Sequence, residues 1–346
     1  MMTASPEKLY RATDCITMAH GAGGKATASL IRNLFARYFF NPYLDQGDDG
    51  AFLPRPEGHL IMSTDSHVVS PLFFPGGDIG SLSVHGTVND ISVCGALPLY
   101  LSAGFIIEEG FPLPELEKIV RSMAQAATEA GVTIVTGDTK VVEKGKADGL
   151  YINTTGIGVV PEGVRLSGSF CRTGDAVTVS GFIGEHGVAV MSSRSHLEFE
   201  TSVKSDSASL NTLTSELVKR VPSLRCMRDP TRGGLATTLN ELAEQSGVGI
   251  EIKEAEIPVS DEVSAACEFL GLDPLYVANE GKLIAVCAQK DAGTMLRVMQ
   301  NSPLGKNARI IGHCVKDENH FVKLATLYGG FRLLDRLNGD QLPRIC

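Results

Sequence analysis

Apolar residues recur along this chain with two periods. Leu30, Ile31, Leu34, Phe35 and Tyr38 share one face at helical spacing and predict a helix over 28–38. Leu116, Ile119, Val120, Met123 and Ala127 form a second stripe over 114–130, with Gly131 just past its end as a C-terminal cap. Further helices are predicted over 81–94, 235–246, 263–270 and 292–300. Leu235, Leu239, Leu242 and Ala243 face inward in the second of these. Short β-rich runs at 59–64, 98–107, 132–136, 150–160, 176–180, 250–257 and 283–288 predict strands. Residues 73–80 form a Pro/Gly loop and 193–209 a polar one, and regular structure is expected to end near Leu337. Strands and helices alternate, but several joins are polar or Gly-rich. The fold class predicted is therefore α/β (α+β), with mixed sheets, one per domain. A polar, Gly-rich stretch near 164–173 sets the expected boundary. It divides the chain into domains 1–165 and 166–337 and a flexible tail, 338–346.

Length and composition agree with two packed domains. The chain has 346 residues, 43% of them hydrophobic and 21% charged, so disorder is not expected. The 37 glycines point to tight turns and to close approach of backbone to a ligand. Net charge is −9 and no run of Lys/Arg occurs, which argues against a nucleic-acid partner. No apolar stretch is long enough for a membrane span. The first 15 residues lack the apolar core of a signal peptide, so a cytoplasmic protein with no membrane partner is expected. Those residues match no motif and are assigned no function. Eight cysteines are scattered without a C-x-x-C pair, and most read as small buried hydrophobes. Cys346 differs: it ends the chain after Leu-Pro-Arg-Ile, with no core to join.

Four places carry candidate chemistry. Asp65 follows the strand 59–64, Asp138 follows the strand 132–136, Asn89-Asp90 lies in a predicted helix, and Asp48-Asp49 forms an acidic turn. Each acid alone reads as a turn or cap. Four such sites in one half, with a Gly-rich loop, suit Mg²⁺ and nucleotide phosphates, because hard cations take carboxylate oxygens. The loop from His20 to Lys25, with Gly23 and Gly24, runs into a helix. It reads as a tight turn or as a flexible cover over phosphates, with Lys25 as counter-charge. Arg228-Asp229-Pro230-Thr231-Arg232-Gly233-Gly234 precedes another helix, and either caps it or binds an anion. Asn279-Glu280-Gly281-Lys282 lies before a strand.

Taken together, Thr64-Asp65-Ser66, Gly137-Asp138-Thr139-Lys140 and the 228–234 turn resemble the superfamily of aminoimidazole-ribonucleotide synthetase, selenophosphate synthetase and thiamine-monophosphate kinase. Pro71 to Gly80, Gly86 to Asp90, Ile134 to Val142, Ala278 to Lys282 and the tail Leu342-Pro343-Arg344-Ile345-Cys346 resemble, more narrowly, the HypE family of hydrogenase maturation factors. The resemblance runs from about His20 to Cys346. It implies an aminoimidazole-ribonucleotide-synthetase-like fold whose N-terminal domain binds ATP and pairs its sheet in a homodimer. The partner subunit would complete the nucleotide cleft. It further implies that a HypF-type carbamoyltransferase loads a carboxamide on Cys346, that the chain dehydrates it with ATP and Mg²⁺ to a thiocyanate, and that the HypC–HypD complex receives cyanide for [NiFe]-hydrogenase iron. The roles implied are Glu280 as base, Lys140 on the oxygen or γ-phosphate, and Cys346 as carrier. His20, Gly23, Gly24, Lys25, Asp48, Asp65, Asn89, Asp90, Asp138, Asp229 and Arg232 would contact nucleotide; Asp49, Asp65, Asp90 and Asp138 are the metal candidates. Asp49-Gly50-Ala51 departs from an expected Asp-Ala-Ala, and glycine keeps the turn.

Two other readings compete. Selenophosphate synthetase carries a reactive Cys or selenocysteine in its Gly-rich segment, and residues 20–25 contain none. A non-catalytic carrier would let the tail accept and pass on a group without ATP-coupled dehydration.

Overall fold

The protein is described by a computed structural model, in which residues 10–194, 201–337, 339 and 344–346 are described. Of the predicted tail and the predicted 193–209 loop, 338, 340–343 and 195–200 lie outside these residues, as do 1–9.

The first half opens with α1 (Lys25–Leu30), which continues through a π-turn (Ile31–Phe35) into α2 (Ala36–Phe39). Then follow β1 (His59–His67), the short hairpin strands β2 (Phe73–Phe74) and β3 (Gly77–Asp78), and α3 (Ile79–Val93). β4 (Leu97–Glu108), α4 (Leu113–Ala130), β5 (Thr133–Val142) and β6 (Leu150–Val160) complete it. The sheet order is β1-β6-β4-β5. β4 and β5 run parallel, joined by the α4 crossover, and the other pairs are antiparallel. The predicted Pro/Gly loop at 73–80 is instead the β2–β3 hairpin and the start of α3. Asp78 caps that helix, accepting hydrogen bonds from the Gly80 and Ser81 N–H groups at 2.7 and 3.1 Å.

The second half contains β7 (Asp175–Val179), α5 (Glu185–Ser192), α6 (Asn211–Arg220), β8 (Leu224–Arg228), α7 (Gly234–Ser246) and β9 (Gly249–Lys253). It continues with α8 (Asp261–Leu270), β10 (Ile284–Ala288), α9 (Ala292–Gln300), β11 (Arg309–Val315), β12 (Val322–Ala325) and β13 (Phe331–Leu334). Its sheet order is β13-β12-β9-β11-β7-β10-β8, mixed because β9 and β12 run parallel. Apolar layers cover both faces: Leu235, Leu239 and Leu242 of α7 on one, Leu213 and Leu217 of α6 with Met295 and Met299 of α9 on the other. β7 and β10 sit between these layers and read as near-continuous apolar runs.

Two predicted strand ends move. β1 keeps its register with β6 through Asp65↔Thr154 to His67↔Ile152, and β5 continues to Val142. Asp65 and Asp138 are therefore inside strands, not beyond them. Their polar neighbours alternate onto the outer face of the sheet, which imitates a strand end in sequence.

α3 is buried almost all round, between the first sheet and the second half. Its polar side chains are paired accordingly. Thr87 and Thr154 hydroxyls meet at 2.6 Å, and His85 Nδ1 lies 2.9 Å from the Ser207 hydroxyl. Asn89 donates to the carbonyls of Ala208 (3.0 Å) and Glu280 (3.1 Å) and accepts from the Leu210 N–H (2.8 Å). The described part of the predicted polar loop is thus a connector threaded between the two halves.

Candidate active site

The acids of the two halves converge at this seam. Asp65 comes from β1 and Asp90 from α3, where the Ser63 hydroxyl donates to Asp90 at 2.7 Å. Asp229 follows β8, and Glu280 lies on the turn before β10 and is 3% exposed. Burial pushes the Asp90 carboxyl up against the Ser63 hydrogen bond, and Asp65 adds to the rise. Asp229 is pushed up to about 7, first by burial and then by Asp90. Burial raises Glu280 well above the usual carboxylate range, helped by Asp229, Asp206, Asp65 and Asp90 in that order. These groups repel one another in a poorly solvated space, so the cleft favours cations and holds protons tightly without them.

Glu280 is held by its backbone. The Asp206 carboxylate accepts the Glu280 and Gly281 N–H groups at 3.1 and 3.2 Å. Position 281 must be glycine, because a Cβ there would stand 1.8 Å from the Asp206 carbonyl oxygen. Lys282 lies 3.0 Å from Glu185 and 3.3 Å from Asp206. Burial opposes its charge, but the two carboxylates hold the ammonium above its ordinary value. His67 ends β1, 1% exposed, and neither ring nitrogen has a hydrogen-bond partner. Its Nε2 is 3.6 Å from Asp65. Burial drives its pKa down, against the pull of Asp65.

The chain terminus enters the same seam. Val68 N–H donates to the Cys346 carbonyl at 3.2 Å and Ser70 N–H to the Arg344 carbonyl at 3.0 Å, an antiparallel pairing beyond the end of β1. Ile345 is 4% exposed within the first domain's core. Cys346 lines a cavity of about 400 Å³ with Ser66, Val68, Arg232, Gly233 and Ala278. The sequence left open which side of the cleft the tail occupies; its described end, 344–346, rests inside.

Other candidates lie elsewhere. Lys140 and Asp138 form an exposed ion pair of 2.9 Å on β5, with the Asp138 carboxyl held down chiefly by Lys140. Asp65 registers with Thr154 on β6, Thr154 with Ala103 on β4, and Ala103 with Gly137 on β5. Three strand spacings, about 14 Å, separate the two edges. The His20–Lys25 loop lies on this far edge, where a Cβ on Gly21 would sit 2.8 Å from Val141 Cβ. Asp48 and Asp49 are exposed in their turn. The proposed metal set of Asp49, Asp65, Asp90 and Asp138 therefore does not converge within the chain. Among the described residues no three His, Cys, Asp or Glu side chains are arranged to hold a metal ion. Asn89 is 1% exposed and engaged with backbone, so its placement is that of a brace for Glu280. Sequence reasoning missed Asp206, which sits in an unpatterned polar stretch. It also gave no role to His186.

Family models match both halves: AIR synthase related protein, N-terminal domain, over residues 47–160, and the C-terminal domain over 172–325. The chain is 60% identical over 332 residues to carbamoyl dehydratase HypE of Cupriavidus necator, covering 96% of this chain and 95% of the relative. A crystal structure of hydrogenase maturation protein HypE in complex with ATP superposes with a TM-score of 0.92 at 50% identity, covering 95% of this chain and 99% of the other. A crystal structure of a HypE–HypF complex matches with a TM-score of 0.78 at 50% identity, covering 89% and 100%. No helix among the described residues is long and apolar enough to cross a membrane. With both domain models matched and near-complete coverage at this identity, the chain belongs to the carbamoyl dehydratase HypE family, within the AIR synthase related proteins.

Proposed function

We propose that this chain uses ATP to dehydrate an S-carboxamide on its own Cys346 to a thiocyanate, the source of the cyanide ligand of [NiFe]-hydrogenase iron. The observation that carries this reading is the docking of Cys346 in a cavity lined by Arg232, whose charge acts on Asp90 of the acid cluster, and by Ser66 and Ala278, neighbours in sequence of Asp65 and Glu280. The balance is R–S–C(O)NH₂ + ATP → R–S–C≡N + ADP + phosphate. The amide oxygen is a poor leaving group; phosphorylated, it departs as phosphate. Both N–H protons must go as the nitrile forms. A buried carboxylate with a strongly raised proton affinity is a competent acceptor once cations offset its neighbours, and Glu280 is that group. Asp90 stands in the same cluster, and Arg232 brings positive charge to the phosphates.

The solved ATP complex of a relative supports ATP as the nucleotide. The chemistry of the cluster suits Mg²⁺, since Asp65, Asp90 and Asp229 would bring hard oxygens and unbalanced negative charge, although no three described side chains are arranged to hold the ion by themselves. They fall short of a full cage, which leaves positions for phosphate oxygens and water. Mg²⁺ would supply charge neutralisation of the triphosphate.

Homodimerisation would complete the site. The outer face of the four-stranded sheet exposes Leu60 (66%), Met62 (69%) and Ile106 (43%), an apolar surface that a second copy would cover. Lys140, Asp138, Asp48, Asp49 and the 20–25 loop would then serve the partner's cleft. A HypF-type carbamoyltransferase would load Cys346, in keeping with the HypE–HypF complex, and a HypC–HypD complex would take the cyanide. The boundaries 1–165, 166–337 and 338–346 remain the proposed division. Incubating carbamoylated protein with Mg-ATP and weighing it tests the reaction. Loss of about 18 Da, one water, is expected; an unchanged mass would leave only the carrier reading.

A further inference from the structure

Four separate contacts converge on residues 344–346, and none belongs to the acid cluster. His186, in the first turn of α5, is fully buried; its Nε2 lies 2.9 Å from the Ile345 carbonyl and its Nδ1 2.8 Å from the Ser205 hydroxyl. A carbonyl only accepts, so Nε2 carries the proton, and in the neutral ring Nδ1 accepts from Ser205. The Phe74 ring stands edge-on to the imidazole at 5.4 Å and fixes its plane. Arg194 donates from Nε to the Ser70 carbonyl (3.1 Å) and from a terminal nitrogen to the Arg344 carbonyl (3.3 Å), bridging the tail to the strand it pairs with. Arg344 donates from Nε to the Val68 carbonyl at 3.1 Å and pairs with Asp148, in the β5–β6 loop. Its φ of 57° is left-handed, a conformation unfavourable for a non-glycine residue, so the docked shape must be held from outside.

We propose that His186, Arg194 and the Asp148–Arg344 pair are tail-positioning residues, which clamp 344–346 as a removable strand on 68–70 and set how long Cys346 stays in the cleft. None touches the reacting atoms. The Val68 and Ser70 N–H groups donate to the tail, and the side chains of His186, Arg194 and Arg344 add to this pairing. A docked tail, with Ile345 4% exposed and Cys346 half-buried, restricts a second protein's reach to the thiol, whereas a released one frees it. The clamp therefore divides Cys346 between chemistry in the cleft and exchange outside it. That division rests on the reading of Cys346 as the substrate carrier; the clamp itself does not.

Iodoacetamide labelling of the full chain without ATP, read by mass on the C-terminal peptide, tests the clamp alone. Asp148 is on the surface, so Asp148→Ala preserves folding; Cys346 should label about threefold faster, as for loss of a partly exposed ion pair. His186→Gln loses the ring that Phe74 and Ser205 hold in plane, which loosens the bond to the Ile345 carbonyl, and should speed labelling about fivefold. Asp148→Glu should restore the slow rate. In carbamoylated protein the same variants should slow single-turnover dehydration in proportion, with the KM for ATP unchanged. Wild-type labelling rates in Asp148→Ala would overturn the proposal, whatever becomes of His186→Gln. Faster labelling with no loss of 18 Da in the wild type would keep the clamp and defeat the dehydration reading.

Discussion

Asn89→Ala separates a structural brace from a nucleotide ligand. The Asn89 carboxamide makes three hydrogen bonds, of 2.8, 3.0 and 3.1 Å, all to backbone of the second half. Alanine removes all three and leaves the Leu210 N–H and the Ala208 and Glu280 carbonyls without that partner in a buried seam. At about 1 kcal/mol net for each neutral bond, the loss is about 3 kcal/mol, or roughly two powers of ten in the folding equilibrium. Unpaired buried groups push the figure up, and a water filling the vacated space pulls it down. Urea unfolding should show a lower midpoint with an unchanged slope. Because one bond ends on Glu280, the dehydration rate at saturating ATP should fall as well, with the KM for ATP unaltered. Wild-type stability with a raised KM would refute this reasoning and return Asn89 to the nucleotide.

Three further outcomes follow from the same geometry. Folded Asp229 keeps its proton to about pH 7 from an ordinary 3.8, so the native state binds more protons between those values and stability falls as pH rises through that window. Asp229→Asn should flatten that fall in urea titrations at pH 4, 5.5 and 7.5, gaining most at the highest pH. If Lys140 serves the partner's cleft, inactive Lys140→Ala and Glu280→Gln proteins mixed through unfolding and refolding should recover about a quarter of wild-type activity, since half the dimers are mixed and each has one intact site; no recovery places both residues in one cleft. Ile345→Ala should loosen the docked tail by about 2 kcal/mol, seen as faster proteolysis of the C-terminal residues with the melting temperature unchanged.

The sequence made visible those parts of the site whose chemistry is local. Arg228 to Gly234 and Ala278 to Lys282 are short turns whose composition marks them. Cys346 stands out because a terminal thiol has no core to fill. The four strands of the first sheet, and β7, β9 and β10 of the second, were legible from period-two and continuous apolar runs; β8 and β12 were not. β11 was not, since a bulge between Ile310 and Gly312 breaks its alternation. Nor was the edge strand β13, whose Phe331, Arg332 and Leu333 are all exposed. The described part of 193–209 read as a polar loop because its partners are remote: Ser207 is satisfied by His85, and Ala208 and the adjoining Leu210 by Asn89, each about 120 positions away. Local pattern carries no such information. For the same reason the resemblance grouped Lys140 with Glu280, whereas the strand order sets Lys140 on β5, the edge opposite β1, whose Asp65 acts on Glu280.

The central claim is that Glu280 acts on a group carried by Cys346. It is tested most directly by single-turnover reaction of carbamoylated wild-type and Glu280→Gln proteins with Mg-ATP, with tandem mass spectrometry of the C-terminal peptide. The account predicts loss of about 18 Da localised to Cys346 in the wild type, and a Glu280→Gln protein that binds ATP and keeps its carboxamide. Dehydration at the wild-type rate in Glu280→Gln, or a mass loss placed on any other residue, would contradict it.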